Sequence, residues 1–128
     1  MPRLPRFAPA GLPLHVTQRG NYRQNTFLAD YDRHYFLALL DRHSAEHRVK
    51  IVAYTLMTNH FHLILIPETD HGTSEMMHDL TWEYARTINA RHDLRGHLWR
   101  GRFESCVMDE THSGSPSATS NSIPSAPQ

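Results

Sequence analysis

Cysteine and lysine are nearly absent from this 128-residue chain, and each scarcity removes a class of protein from consideration. A single cysteine, Cys106, excludes an internal disulfide and any cysteine-based metal cage, and fits a reducing cytosol. Of the thirteen basic residues only Lys50 is lysine; the rest are arginines, a composition suited to forked contacts with phosphates. Net charge is also lacking, because thirteen acidic residues balance the basic ones, so no overall basic signature marks a nucleic-acid binder. There is no apolar run of membrane-spanning length, and Met1-Pro2-Arg3-Leu4-Pro5-Arg6 has none of the apolar centre of a signal peptide, so the expectation is a cytoplasmic protein with no membrane partner. The length suits one domain and excludes the barrels of about 250 residues in which paired histidines often bind metals.

What is abundant is histidine, with eleven in the chain. Two of them stand in Thr58-Asn59-His60-Phe61-His62-Leu63-Ile64-Leu65-Ile66, which otherwise reads as a buried strand. Side chains alternate across an extended chain, so His60 and His62 share one face about 6.6 Å apart, while Phe61, Leu63 and Leu65 take the other. Imidazoles so placed can converge on one ion, although partly buried histidines that bond only to neighbours are the commoner use of the residue.

The remaining elements follow from periodicity. Met1 to Pro13 is proline-rich and reads as an extended arm. Leu14 to Arg19 alternates like a strand, with Leu14 and Val16 inward and His15, Thr17 and Arg19 outward, and Gly20-Asn21 ends it. Asp30 or Asp32 caps a helix that runs to about His47 on a stripe of Tyr35, Phe36, Leu39 and Leu40. Val49 to Leu56 is a β-branched strand, joined through Met57-Thr58-Asn59 to the histidine strand as an antiparallel hairpin. Thr73 or Ser74 opens a second helix, with Met76, Met77, Leu80, Tyr84 and Ile88 inward, whose Arg86 and Arg91 suit the negative end of the helix dipole. Gly96 to Arg102 is a connector with Trp99 near two arginines, and Phe103 to Met108 forms a fourth strand.

This order predicts an α+β, ferredoxin-like β-α-β-β-α-β sandwich: an antiparallel sheet with both helices on one face. The first and third strands then lie side by side at the centre, which brings His15 next to His60 and His62 on the open face. Ile64 and Ile66 on that face would welcome cover by a partner. The domain is expected over residues 1–110, and the Ser/Pro-rich residues 111–128 as a disordered tail.

Three separated motifs, Gly11 to Asn21, Ala53 to Leu65 and Gly96 to Phe103, stand in the order in which they resemble those of the small single-tyrosine HUH transposases of insertion sequences, in the branch called REP-associated tyrosine transposases. The similarity covers about Pro2 to Glu110. It implies that His60 and His62 bind a divalent ion, magnesium or manganese, together with a polar residue from a later helix. It further implies that the ion polarises a phosphate of single-stranded hairpin DNA, that a tyrosine attacks to give a 5′-phosphotyrosine and a free 3′-hydroxyl, and that the protein works as a homodimer. His15, Arg19, Asn21, Arg23, Arg100 and Arg102 are the expected DNA contacts.

One departure stands out. In the family a helix after the fourth strand carries the nucleophile in a pattern like Tyr-Ile-x-x-Asn-Pro-Val-Arg-Ala, and nothing after Glu110 matches it. Tyr22, Tyr31, Tyr35, Tyr54 and Tyr84 read as turn, helix start, helix core, strand and helix core, with Tyr84 a poor substitute nucleophile. Codons for Ser120 to Ala126 can spell Glu-Leu-Asn-Pro-Val-Arg in a neighbouring frame, which suggests a frameshift near Glu110. The expectation is therefore a transposase-family domain without its own nucleophile. A non-catalytic hairpin-binding or dimerisation module is the alternative, and a metal-dependent hydrolase a further one; the latter needs a carboxylate facing the histidines, whereas Glu68 and Asp70 fall after Pro67.

Overall fold

The computed structural model describes residues 10–108, so the expected tail at 111–128 and most of the proline-rich arm lie outside the described residues. Strand β1 (Leu14–Arg19) leads through a short 3-10 turn (Asn21–Arg23) to helix α1 (Asp30–Glu46). Strands β2 (Val49–Leu56) and β3 (His60–Pro67) form a hairpin, and helix α2 (Gly72–Arg91) precedes strand β4 (Glu104–Val107). All strand pairs are antiparallel in the order β2-β3-β1-β4, the ferredoxin-like arrangement. Among the described residues the one register shift lies between Ile51 and Ala53 of the hairpin. Among the described residues no helix is long and apolar enough to cross a membrane.

Alternation does the sorting. Leu14 and Val16 of β1 and Phe61, Leu63 and Leu65 of β3 are fully buried under the helices. Phe36 of α1 and Tyr84 of α2 meet there edge to face at 5.3 Å, and the Phe36 and Phe61 ring centroids lie 4.7 Å apart. Trp99 turns inward as well: its ring packs 5.3 Å from Phe61 and its Nε1–H donates to the Thr81 carbonyl at 3.1 Å. The connector's aromatic therefore serves the core, whereas Arg100 and Arg102 that follow it are exposed.

Helix α1 begins one residue after Ala29, and Asp32 sits inside its first turn rather than in front of it. Its Oδ2 accepts the N–H groups of Leu28 and Ala29 at 3.2 and 3.0 Å, so it still performs the capping role. The same buried carboxylate takes Arg91 Nη1 at 2.6 Å and His92 Nε2 at 2.9 Å from the end of α2. Arg91 is thus a partner for a buried charge that locks the two helices together, a stronger reason for its presence than the dipole. Burial would push the Asp32 carboxyl up, but the hydrogen bonds from Arg91 and His92 outweigh it and hold the group below its ordinary range.

Candidate functional site

On the sheet face opposite the helices, β3 and β1 lie side by side in register, with His60 opposite Arg19 and His62 opposite Thr17. His15 is one step diagonal to His62, and the two rings stack at 5.1 Å with His15 Nε2 3.0 Å from His62 Nδ1. Thr17 Oγ1 is 3.2 Å from the same nitrogen. The His60 and His62 rings are 5.0 Å apart and nearly perpendicular, at 81°. All four side chains are half-buried.

Hydrogen bonding engages Nδ1 of both the His60 and the His62 ring. Asn59 Oδ1, 2.8 Å from His60 Nδ1, can only accept, so His60 Nδ1 carries the proton and Nε2 keeps its lone pair. At His62, Nδ1 is the nitrogen engaged by His15 Nε2 and Thr17 Oγ1, each able to donate or accept, so Nε2 is the nitrogen left outside these contacts. Burial, then the nearby His15 and His60, push the His62 imidazole down to about 4. His15 is lowered by burial, and His60 by burial and then by the positive charge of Arg19. Neutral imidazoles with a free nitrogen are the form that ligates metals, so this pair fits a divalent ion. Two nitrogens leave most of the coordination of magnesium or manganese to oxygens from water, phosphate or a further side chain.

The candidate DNA residues surround this couple unevenly. Arg19, Arg23, Asn59 and His60 line one cavity of about 240 Å³, which places two guanidinium-bearing residues beside a histidine. The turn between Arg19 and Arg23 runs through Gly20, where a Cβ would fall 2.3 Å from the Gln24 carbonyl oxygen, so only glycine allows the chain to turn back so tightly. Tyr22 and Arg23 take left-handed backbone angles, φ 54° and 59°, and Tyr22 projects into solvent at 93% exposure. The connector is pinned to the same turn. Arg100 N–H donates to the Arg19 carbonyl at 2.9 Å, Asn21 N–H to the Leu98 carbonyl at 2.8 Å, and Gln18 Nε2 to the Arg100 carbonyl at 3.2 Å. Arg100 therefore sits at the Arg19 end of the site, and Arg102 follows it just before β4.

Tyr84 lies on the other side of the sheet. It is fully buried, its hydroxyl donates to the Thr26 carbonyl at 2.6 Å, and burial followed by the charge of Asp32 pushes its phenol well above the ordinary range. Such a group cannot present an oxyanion to a phosphate at the histidines. Ile64 is already only 9% exposed, so it gives a partner less apolar surface than its place on the open face suggests.

Two features escaped the sequence reading. Trp82 on α2 is 56% exposed with the Arg86 guanidinium 4.9 Å from its ring centroid, and both line a groove of about 670 Å³ with Asn21, Asn89 and His97. An exposed tryptophan four residues before an arginine on a helix was the available signal. The other is a group of His43, Glu46, His47 and Asp79 between the helices, in which one ligand atom from each lies within 4.8 Å of the others.

A ferredoxin-like sandwich that buries its helices on one side and bares a neutral histidine couple flanked by arginines on the other has the layout of a nucleic-acid-processing domain. The chain belongs to the IS200-like transposase family, whose family model matches residues 10–115. Its fold is similar to that of a REP-associated tyrosine transposase solved bound to a REP hairpin, with 17% identity and a TM-score of 0.70 over 91% of this chain and 68% of that one. It is also similar to a protein from Deinococcus radiodurans R1 described as a transposase, with 17% identity and a TM-score of 0.63 over 93% and 96% of the two chains. No functionally curated protein matches it.

Proposed function

We propose that this domain holds single-stranded hairpin DNA against its open sheet face, with a divalent ion, magnesium or manganese, on His60 and His62, in the manner of a transposase that cuts and rejoins strands through a phosphotyrosine. The observation that carries this reading is the convergence of His15, His60 and His62 with Arg19 on adjoining strands of the uncovered face. The structural neighbour solved with a REP hairpin adds support for the ligand class.

In this reading Asn59 holds the His60 ring through Nδ1, and His15 and Thr17 hold the His62 ring, so both present Nε2 to the same region. When bound, the ion would act as a Lewis acid on the scissile phosphate. Arg19 and Arg23 meet phosphate oxygens beside His60, and Arg100 and Arg102 extend the cationic track along the connector. Tyr22 and Trp82 offer rings on which unpaired bases stack. Two copies working together complete the assembly.

In this reading a frameshift near Glu110 has left the nucleophile in a neighbouring reading frame. Codons for His112 to Pro127 can be chosen so that, read from the third base of the His112 codon, they spell Leu-Trp-Gln-Ser-Ile-Gly-Tyr-Ile-Glu-Leu-Asn-Pro-Val-Arg-Ala. That stretch contains a tyrosine and the whole pattern expected of the catalytic helix. The domain of residues 1–110 followed by an out-of-frame stretch would then bind hairpins without cutting them.

Two measurements test this. Hairpin DNA binding in Mn2+ is expected to weaken in His60→Ala/His62→Ala with no covalent adduct from the parent chain, while adduct formation by the parent chain would contradict it. The coding DNA is expected to carry the tyrosine codon in the displaced frame, and its absence there would end the frameshift account.

A further inference from the structure

The last turn of α1 ends in His43-Ser44-Ala45-Glu46-His47, which sets two imidazoles four residues apart on one helix face with a carboxylate between them. Across from it, α2 presents Glu75, Asp79 and Glu83, again at steps of four. The two faces meet closely: His47 Nε2 lies 2.8 Å from Asp79 Oδ2 and His43 Nε2 2.9 Å from Glu83 Oε1, while within α1 His43 Nδ1 lies 3.2 Å from Glu46 Oε1. Close approach of the helices is enforced at Gly72, where a Cβ would fall 2.9 Å from the His47 carbonyl oxygen.

We propose that His43, Glu46, His47 and Asp79 form a binding site for a zinc-class divalent ion that ties the end of α1 to α2, separate from the histidine couple on the opposite side of the sheet. Ligand atoms from all four already lie within 4.8 Å of one another. Two nitrogens and two carboxylate oxygens are a four-coordinate donor set for Zn2+ or Co2+, whereas magnesium calls for more oxygens.

The outer partners favour metal over a plain hydrogen-bonded staple. Glu83 lies 2.9 Å from His43 Nε2, the nitrogen turned away from Glu46, and is itself held by Arg42. Glu75 lies 3.5 Å from His47 Nδ1, the nitrogen turned away from Asp79. Each histidine therefore has a carboxylate for its outer N–H while its other nitrogen faces the centre, the pairing that orients imidazoles on zinc. A cavity of about 430 Å³ lined by His47, Ser74, Glu75, His78 and Asp79 gives an ion a way in. Four protein ligands leave no open position, so the ion is structural.

The test uses the full chain carrying His60→Ala and His62→Ala, titrated with Co2+ and followed by visible absorption. One equivalent of Co2+ is expected to bind with the intense bands of tetrahedral coordination and to be displaced by Zn2+. In that background His47→Gln and Asp79→Asn, both less buried than His43, should each weaken binding by about 100-fold or more, with circular dichroism confirming that the fold persists. Zn2+ should raise the melting temperature of the starting chain and not of these variants. In the otherwise unaltered protein, His47→Gln should lower the Co2+ stoichiometry by one. Absence of Co2+ binding in the His60→Ala/His62→Ala chain, or affinity unchanged by both of these substitutions, would overturn the assignment.

Discussion

His15 Nε2 stands 3.0 Å from His62 Nδ1, a contact between strands 47 residues apart in sequence that decides which nitrogen of His62 is left for a ligand. It also sets the His15 ring beside His62, which adds to burial in keeping His62 from being protonated. The pair is a device for keeping His62 neutral and oriented.

That arrangement sets a pH dependence. Burial, with His15 and His60 nearby, lowers His62 in the folded protein to about 4 from its ordinary 6.5. Between those values the unfolded chain takes up a proton that the folded one refuses, so stability falls as pH drops from 6.5 towards 4 and is unaffected above that window. A metal on His60 and His62 should survive acid likewise. Mn2+ affinity is expected to fall by less than about fivefold from pH 7.5 to 6.0, where an unshifted histidine pair would lose about tenfold or more. Isothermal titration at the two pH values checks it.

Tyr84 makes the reverse case. Removing its hydroxyl in Tyr84→Phe strands the buried Thr26 carbonyl and should cost about 1–2 kcal/mol in urea unfolding. Hairpin binding should be unchanged at temperatures where the variant is folded, because the residue faces the core. Loss of hairpin binding by a folded Tyr84→Phe protein would contradict this placement.

Asp32 holds the helical layer together. With Arg91, His92 and two backbone N–H groups all directed at one fully buried carboxylate, Asp32→Ala should destabilise the domain by about 3–5 kcal/mol. Because the folded carboxyl lies below its ordinary value, its contribution is complete above about pH 4 and disappears as pH falls through the lowered folded value. Denaturant midpoints at pH 7 and pH 3 should therefore differ less in the variant than in the parent chain.

The open-face site was legible early because a strand has a period of two: once His60 and His62 were on a strand paired to Leu14–Arg19, the ferredoxin-like order brought His15 to them. Strand and helix limits followed from alternation and from the stripes of Phe36 and Tyr84. Contacts between the two helices were not legible. Arg91 read as a dipole partner because Asp32 lies 59 residues away, and the spacing His43 to His47 was visible while the approach of Asp79 was not. Nothing in the connector's sequence signals the burial of Trp99, which depends on the gap beside Phe61 that only packing defines.

The account rests on His60 and His62 jointly holding an ion on the uncovered face of the sheet, and electron paramagnetic resonance of Mn2+ added to the chain carrying His47→Gln measures that most directly. The account predicts one bound Mn2+ whose signal is lost on adding either His60→Ala or His62→Ala and altered when hairpin DNA is supplied. Mn2+ bound equally well after both substitutions would contradict it.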